Sequence, residues 1–334
     1  MYSARKSSVF AVLGLLLIFP VCVEAKFAFV TNNGTVTITS YTGPGGTVVI
    51  PAATNGLPIT SIGNYAFAGN TLVNGVSMPG SLTNIGFYSF LDCSNLASVS
   101  IGTNVITIGA AAFQDCTSLR SITIPNSVTN LGGYGAAYGW VFAGCGSLRA
   151  VTLGNKISHI ANDIFLWCYS LTNLIIPDSV TNIGYGAFYQ SGLKTITLPR
   201  NVASLAKYAF GGCTNLSRML FTGDAPVPAD STVFDQNSTT VYYLPGTSGW
   251  GTNFANMPSA LWNPLPQTGG VQANQFGFNI TGTAGIPIVV EACSDLANPV
   301  WTSLQSLTVT NSSVHFSDPL WSNYDSRFYR LRWP

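Results

Sequence analysis

Seven phenylalanines, Phe67, Phe90, Phe113, Phe142, Phe165, Phe188 and Phe210, follow one another at intervals of 23, 23, 29, 23, 23 and 22 residues. A fixed period of that length constrains the fold more than any other feature of the chain. Each unit is one small piece that cannot bury its own apolar face, so the pieces must stack and share a continuous core. Around the phenylalanines runs a template, L-x-x-I-x-I-P-x-S-V-T-x-I-G-x-x-A-F-x-x-C. LRSITI (119–124), LRAVTL (148–153), LTNLII (171–176) and LKTITL (193–198) fill its first half, and residues 105–109, 128–132 and 180–184 fill the second. The first half reads as a β-branched strand with alternate residues such as Ile122 and Ile124 facing inward. A Pro or Gly (Pro79, Gly102, Pro125, Gly154, Pro177, Pro199) ends it, and V-T-x-I forms a second short strand. The A-F-x-x-C piece is too short for an α-helix and reads as a turn or 3₁₀ segment.

The L-x-x-L-x-L core within this period signals a leucine-rich solenoid. The pattern resembles the BspA-like class of bacterial leucine-rich repeats over roughly residues 27–222, including the opening YTGPGGTVVIPAATNGLPITSIGNYAF. The resemblance implies an exported surface protein engaged in adhesion and partner binding rather than catalysis. The chain departs from the pattern in six extra residues before Phe142 and in Ser191, which stands where a cysteine is due. The expected fold is mainly β: a right-handed leucine-rich-repeat solenoid of about seven coils, one per phenylalanine, plus a small antiparallel β-sandwich.

Residues 1–25 read as a signal peptide. Arg5 and Lys6 precede a 13-residue apolar stretch, Val9 to Val21, and Val23-Glu24-Ala25 offers a cleavage site after Ala25. The stretch is shorter than the ~20 residues a membrane-spanning helix needs. Secretion or display at the cell surface follows as an expectation, with no transmembrane segment after cleavage.

Only 7% of the 334 residues are charged, with 13 basic against 12 acidic. Loss of Arg5, Lys6 and Glu24 with the signal peptide leaves 11 of each, so the exported chain is neutral. A neutral surface releases few counterions from phosphate, which argues against a nucleic-acid partner. No basic run is present to hold an anionic membrane.

Three residues after each phenylalanine stand Asn70, Cys93, Cys116, Cys145, Cys168, Ser191 and Cys213. Stacked coils set them in one column about 4.8 Å apart, a distance that disulfides allow between Cα atoms, although in-register side chains hold the Cβ atoms wider than usual. Buried free thiols are the favoured reading, with Cys93–Cys116 or Cys145–Cys168 disulfides as the alternative. Zinc is disfavoured because no histidine joins the column.

The rhythm stops after Phe221. Residues 223–266 are the expected C-terminal cap of the solenoid, since an open end would expose core. Residues 267–270 (QTGG) read as a linker. Five alternating segments then follow at 276–281, 286–292, 300–307, 313–316 and 327–332, a β-sandwich pattern for residues 267–334. The closing WSNYDSRFYRLRWP is similar to a C-terminal module found after repeats in other exported bacterial proteins.

Little in the sequence points to chemistry. The histidines are His159 and His315, in different parts of the chain, and beyond the signal peptide Glu291 is the single glutamate. Ser158, His159 and Asp163 lie in one coil, where His159 reads as a solvated surface residue. Asp92 and Asp115 share a template position one coil apart and read either as an acid–base pair or, equally, as solvated turn residues. GGYGAAYG (132–139) lacks the P-loop lysine. The expectation is no enzyme, no cofactor and no metal. For binding, the six-residue insertion carries Tyr134, Tyr138 and Trp140, and neighbouring turns add Phe87, Tyr88, Trp167, Tyr185 and Tyr189, none required by the template. Insertions in repeat proteins project from one face, and aromatic anchors dominate interfaces. The rings read either as a ligand patch for a protein or glycan or as packing against the solenoid. Arg120 and Arg149 sit in adjacent coils beside a Ser/Thr-lined sheet and complete the candidate set for a monomeric binding protein.

Overall fold

The phenylalanines form the axis of the molecule. In the computed structural model, which describes residues 26–133, 139–228 and 230–334, the seven rings lie one over another with centroids 4.7–5.7 Å apart. Offset-parallel aromatic pairs at this spacing add attraction beyond their burial. Tyr41 extends the stack 5.1 Å beyond Phe67, and Phe234 extends it 5.9 Å beyond Phe210. The solenoid accordingly winds about nine turns. Tyr41 and Phe234 lack the flanking A-F-x-x-C signature, which is why the regular period marks only the seven between them.

Each turn contributes three faces. On the first, short strands pair in parallel, as where Ile122 stands opposite Val151. Thr195–Leu198, Arg218–Phe221, Thr240–Tyr243 and Met257–Leu261 continue in parallel register. On the second face, two-residue strands such as Asn84–Ile85, Thr107–Ile108 and Asn130–Leu131 pair in parallel. The two-residue alternation of a strand turns Ile85, Ile108, Leu131, Ile160, Ile183 and Leu205 inward, and all are essentially buried.

The third face is the turn edge. Each column phenylalanine donates its N–H along the axis to the next turn, as Phe90 does to Ala112 (2.8 Å) and Phe113 to Val141 (2.9 Å). An N–H committed to a neighbouring turn cannot join an α-helix, so the A-F-x-x-C piece stays a chain of tight turns. The column of residues two before each phenylalanine is left-handed, including Tyr65 (φ 59°), Tyr88 (54°), Asp163 (51°) and Tyr208 (57°). The column two after is left-handed as well, including Asp92 (55°), Asp115 (57°), Trp167 (60°) and Gln190 (54°). That conformation costs most L-residues about 1 kcal/mol, and Asp tolerates it better than most. Asp92 and Asp115 occupy their shared position for this backbone reason.

The cysteine column is fully buried and unbridged. Each Sγ donates to the carbonyl of the phenylalanine one turn back: Cys93 to Phe67 (3.0 Å), Cys116 to Phe90 (3.2 Å), Cys145 to Phe113 (3.1 Å), Cys168 to Phe142 (3.2 Å) and Cys213 to Phe188 (2.9 Å). A disulfide would remove the S–H that satisfies this carbonyl. Burial pushes the Cys93 thiol up to about 12 and Cys213 up to about 11, with Cys116, Cys145 and Cys168 also raised. Thiols held protonated are poor nucleophiles. The native protein should therefore resist a maleimide, and the urea-unfolded protein should take up label at Cys93, Cys116, Cys145, Cys168 and Cys213 with no reductant added. A requirement for reductant would show that the column is oxidised.

Both ends of the solenoid are closed. At the start, Phe27–Asn32 and Thr35–Tyr41 form an antiparallel hairpin across Asn33-Gly34, both left-handed, the geometry of a type I′ turn. Phe27 packs on Tyr41 (5.0 Å) and caps the ring stack. At the other end, Phe254 meets Phe234 edge-on at 6.3 Å and Trp250 packs against Phe221 at 5.0 Å.

The five alternating C-terminal segments are strands Gln275–Thr281, Pro287–Cys293, Thr302–Thr308, Ser313–Asp318 and Phe328–Arg332, in two antiparallel sheets. Phe278, Ile280, Ile286, Ile288, Val290 and Phe316 fill the space between them. Residues 267–270 do not behave as a free linker. Leu265–Pro266 and Gly270–Gln272 flank them, and both pair with Gln275–Thr281. The same core includes Leu220 and Tyr242 from the solenoid, with Trp333 lying 5.0 Å from Tyr242 and Trp262 donating Nε1–H to the Pro287 carbonyl at 2.8 Å. The module is docked on the first-strand face.

Candidate interaction surface

The left-handed turns decide where the surplus rings go. At Tyr65 and Trp167 that conformation directs the ring outward, off the axis that the buried phenylalanine occupies. Tyr65 is 53% exposed and Trp167 45% exposed for this reason. Near the start of the solenoid, Tyr65 and Tyr88 stack at 5.0 Å with planes 6° apart, and Phe87 meets both edge-on at 5.9 Å. Near its far end, Tyr208 meets Tyr185 at 5.6 Å and Tyr189 at 6.1 Å, again edge-on. Trp167 and the more exposed Tyr169 stand together on the preceding turn, that of Phe165. Two aromatic groups thus share one edge, separated by the turns that carry Ala111, Trp140 and Asp163.

The sequence-derived candidates divide. Tyr88 and Trp167 lie on this edge. Trp140 folds back, donating its Nε1–H to Asp163 Oδ2 at 3.0 Å, which is packing rather than display. Burial raises the Asp163 carboxyl, partly offset by that hydrogen bond. Tyr134 and Tyr138 lie outside the described residues. Arg120 and Arg149 are exposed in adjacent turns and are joined through their backbones, Arg149 N–H to the Arg120 carbonyl at 2.8 Å. Two residues not in the candidate set, Tyr65 and Tyr208, belong to the edge. Their shared place two before the phenylalanine, with Tyr88, was the available signal.

The lone three-residue grouping with a catalytic look does not assemble. Ser158 Oγ is 3.5 Å from His159 Nδ1, while Asp163 is engaged by Trp140. Among the described residues no three of His, Cys, Asp or Glu gather to hold a metal ion, and no helix is long and apolar enough to cross a membrane.

A family model described as the BspA type leucine-rich repeat region matches six copies over residues 53–138 and 138–245, more than half of the chain. No curated protein matches the sequence. Among solved structures, a leucine-rich cell surface protein from Faecalibacterium prausnitzii is 27% identical, with 67% of this chain and 71% of that one covered at a TM-score of 0.56. A leucine-rich repeat protein of T. pallidum is 25% identical over 70% of this chain and 88% of that one, at a TM-score of 0.46.

Proposed function

From the premise that the chain belongs to the BspA-type leucine-rich repeat family, we propose that it is an exported surface protein that binds a protein ligand through its turn edge, in the manner of an adhesin. One observation carries this reading. Tyr65, Tyr88, Trp167 and Tyr208 occupy left-handed positions that most other turns fill with Gly, Ala, Asp or Gln, and there Tyr65 and Trp167 hold their rings in solvent while Tyr88 and Tyr208 are half-buried. Each choice costs backbone energy and solubility while contributing no core, so folding does not explain it. A few desolvated aromatic anchors are what a protein interface uses. The neutral surface steers nothing strongly, so affinity rests on the rings, with Arg120 and Arg149 at the margin. In this scheme residues 1–25 are a signal peptide removed on export, residues 223–266 close the solenoid, and residues 267–334 form a module on its end. The protein acts as a monomer, without cofactor and without catalysis.

A second reading takes the solenoid as a spacer holding the C-terminal module away from the cell. A pull-down of surface proteins separates the two, comparing the wild type with Trp167→Ala/Tyr185→Ala and with Tyr138→Ala/Trp140→Ala. The expected outcome is a defined ligand captured by the wild type and lost by at least tenfold with the first pair, at unchanged far-UV circular dichroism. Weaker or no loss is expected with the second pair, since Trp140 is tied to Asp163. Absence of any ligand, or a ligand indifferent to both pairs, favours the spacer.

A further inference from the structure

The cations of the solenoid are gathered rather than scattered. Residues 27–119 hold no lysine or arginine, and then Arg120, Arg149, Lys194 and Arg218 follow along one margin of the first-strand face. The backbone fixes their alignment. Arg149 N–H donates to the Arg120 carbonyl, Lys194 N–H to that of Thr172 and Ser217 N–H to that of Lys194, each at the place just before the strand. Arg218 stands one residue further in, opposite Thr195 of the preceding turn. Arg120, Arg149 and Lys194 are exposed and Arg218 is half-buried. Among the described residues none of the four has a carboxylate within ion-pair distance; the pairs that form, Lys207–Asp230 and those of the C-terminal module, lie elsewhere. Like charges opposite each other on neighbouring strands repel. Other turns put Ala97, Thr172 and Ser217 at the same place, so the fold does not require charge there.

The face beside this row is recessed. Ser98–Ser100 and Ser121–Thr123 occupy neighbouring turns but belong to separate sheets, and at that break the surface opens into a groove of about 700 Å³. Ser100, Ser121, Thr123 and Thr152 supply it with hydroxyls, while the half-buried Val99, Ile101 and Leu153 give it apolar ground. On the following turns a second groove of about 340 Å³ carries Asn173, Thr195 and Thr197, and Arg332 of the C-terminal module forms part of its wall. The Arg332 side chain stays 43% exposed and shares the single carboxylate of Glu291 with Arg330, so this corner is positive. Asp178 is the one carboxylate lining either groove, and it sits on the far margin, where the next turn has Arg200.

We propose that the first-strand face binds a linear anionic polysaccharide, laid along the solenoid axis with its sulfate or carboxylate groups against Arg120, Arg149 and Lys194. A guanidinium group offers such an anion two parallel N–H donors, a stronger contact than a neutral hydrogen bond. Three steps of about 4.8 Å place Arg120 and Lys194 about 15 Å apart, a span that one oligosaccharide covers. The sugar hydroxyls then meet the Ser and Thr groups, and the C–H faces of the rings meet Val99, Ile101 and Leu153. Single-stranded nucleic acid needs aromatic rings on which to stack its bases, and neither groove has one. A protein needs desolvated apolar anchors, and Ile175 is the sole exposed large apolar side chain in the two grooves. Neutrality of the whole chain does not oppose this binding, because the polymer meets the local row of charge. The site goes beyond the protein-binding turn edge and does not depend on it.

The test is calorimetric titration of the full chain with size-defined heparin, polygalacturonate, dextran, poly-glutamate and a dT oligonucleotide. Heparin or polygalacturonate should bind while uncharged dextran does not, and the tighter of the two tells sulfate from carboxylate. Affinity should fall as salt rises, since each neutralised anion releases a counterion. Arg120→Gln/Arg149→Gln should weaken binding about tenfold or more and flatten the salt dependence. The melting temperature of that variant should hold or rise, because both positions are exposed and two like charges are removed. Lys194→Gln should weaken binding by a smaller factor. Arg200→Gln, on the far margin, should bind as the wild type does, and so should Trp167→Ala/Tyr185→Ala, which separates this face from the turn edge. The proposal is overturned if neither anionic polysaccharide binds, if Arg120→Gln/Arg149→Gln binds as the wild type does, or if Arg200→Gln weakens binding equally. It is also overturned if poly-glutamate or the oligonucleotide binds as tightly as the polysaccharide. Each of those outcomes leaves the protein-binding reading standing.

Discussion

Replacing Phe113 by alanine should destabilise the solenoid by about 3–5 kcal/mol, the range for a buried aromatic truncated inside a close-packed core. Phe113 is fully buried between Phe90 at 5.2 Å and Phe142 at 5.7 Å, so its removal empties a slot with a ring on each side. Backbone bonds on the second-strand face and the turn edge hold the neighbouring turns in place against collapse into the gap, which puts the loss toward the upper end. Phe113→Leu refills part of the volume but gives up both stacking contacts, and about 1–3 kcal/mol is expected. In a stacked array each turn is stabilised by its neighbours, so a broken interface in the middle should split one cooperative transition into two. Urea denaturation followed by far-UV circular dichroism reads both effects. A single unshifted transition for Phe113→Ala would show that the ring column is not what couples the turns.

The second large effect belongs to the C-terminal module. Glu291 is 5% exposed and carries two arginines: Arg332 Nε at 2.6 Å and Arg330 at 2.6 Å, with Ser303 Oγ donating at 3.2 Å. Arg330 also lies 4.3 Å over the Trp301 ring. Glu291→Gln removes the one negative charge between two guanidinium groups on the strand that reaches Trp333, and a loss of about 2–4 kcal/mol at pH 7 is expected. Burial alone would push the Glu291 carboxyl up, but the hydrogen bonds from Arg332 and Arg330 outweigh it and hold the group below its ordinary range. The folded value is thus depressed relative to the unfolded one. The stabilisation is fully present above the unfolded value, about 4.3, and is lost as pH falls through the folded value. Module stability should be flat from pH 7 down to about 5 and should drop below about 4. In Glu291→Gln that drop should be smaller. Tryptophan fluorescence during acid titration, where Trp301, Trp321 and Trp333 report on the module, measures the difference. An acid limb identical in the wild type and the variant would assign it elsewhere.

Much of this molecule is written into single positions of the repeat. The inward isoleucines, the phenylalanine column and the parallel stacking follow from a 23-residue period because each turn sees only its neighbours. Sequence distance and spatial distance are tied in such a fold, which makes it unusually legible. The thiol column was legible as well, since the small turn-facing slot accepts Asn or Ser in place of Cys. The hairpin cap was available in Asn33-Gly34, a residue pair that favours the type I′ turn, but it falls outside the regular period. The surplus rings could be counted from the template, whereas their direction could not. It depends on the left-handed backbone two residues either side of each phenylalanine, and that backbone is set by the N–H groups being pulled along the axis by the next turn.

What the period could not reach, the tertiary structure decided. Leu220 lies on the first-strand face, and it is buried because a module some fifty residues later in the chain covers it. Trp140 looked like a projecting anchor, and it is turned back because Asp163, one turn on, accepts its N–H. Six extra residues looked like a loop on an intact scaffold, yet beside them one rung of a ladder is open and the Asn130 amide is buried without a partner. In each case the outcome depends on which groups from separate parts of the chain meet, and repeat spacing fixes only the neighbours that the period itself supplies.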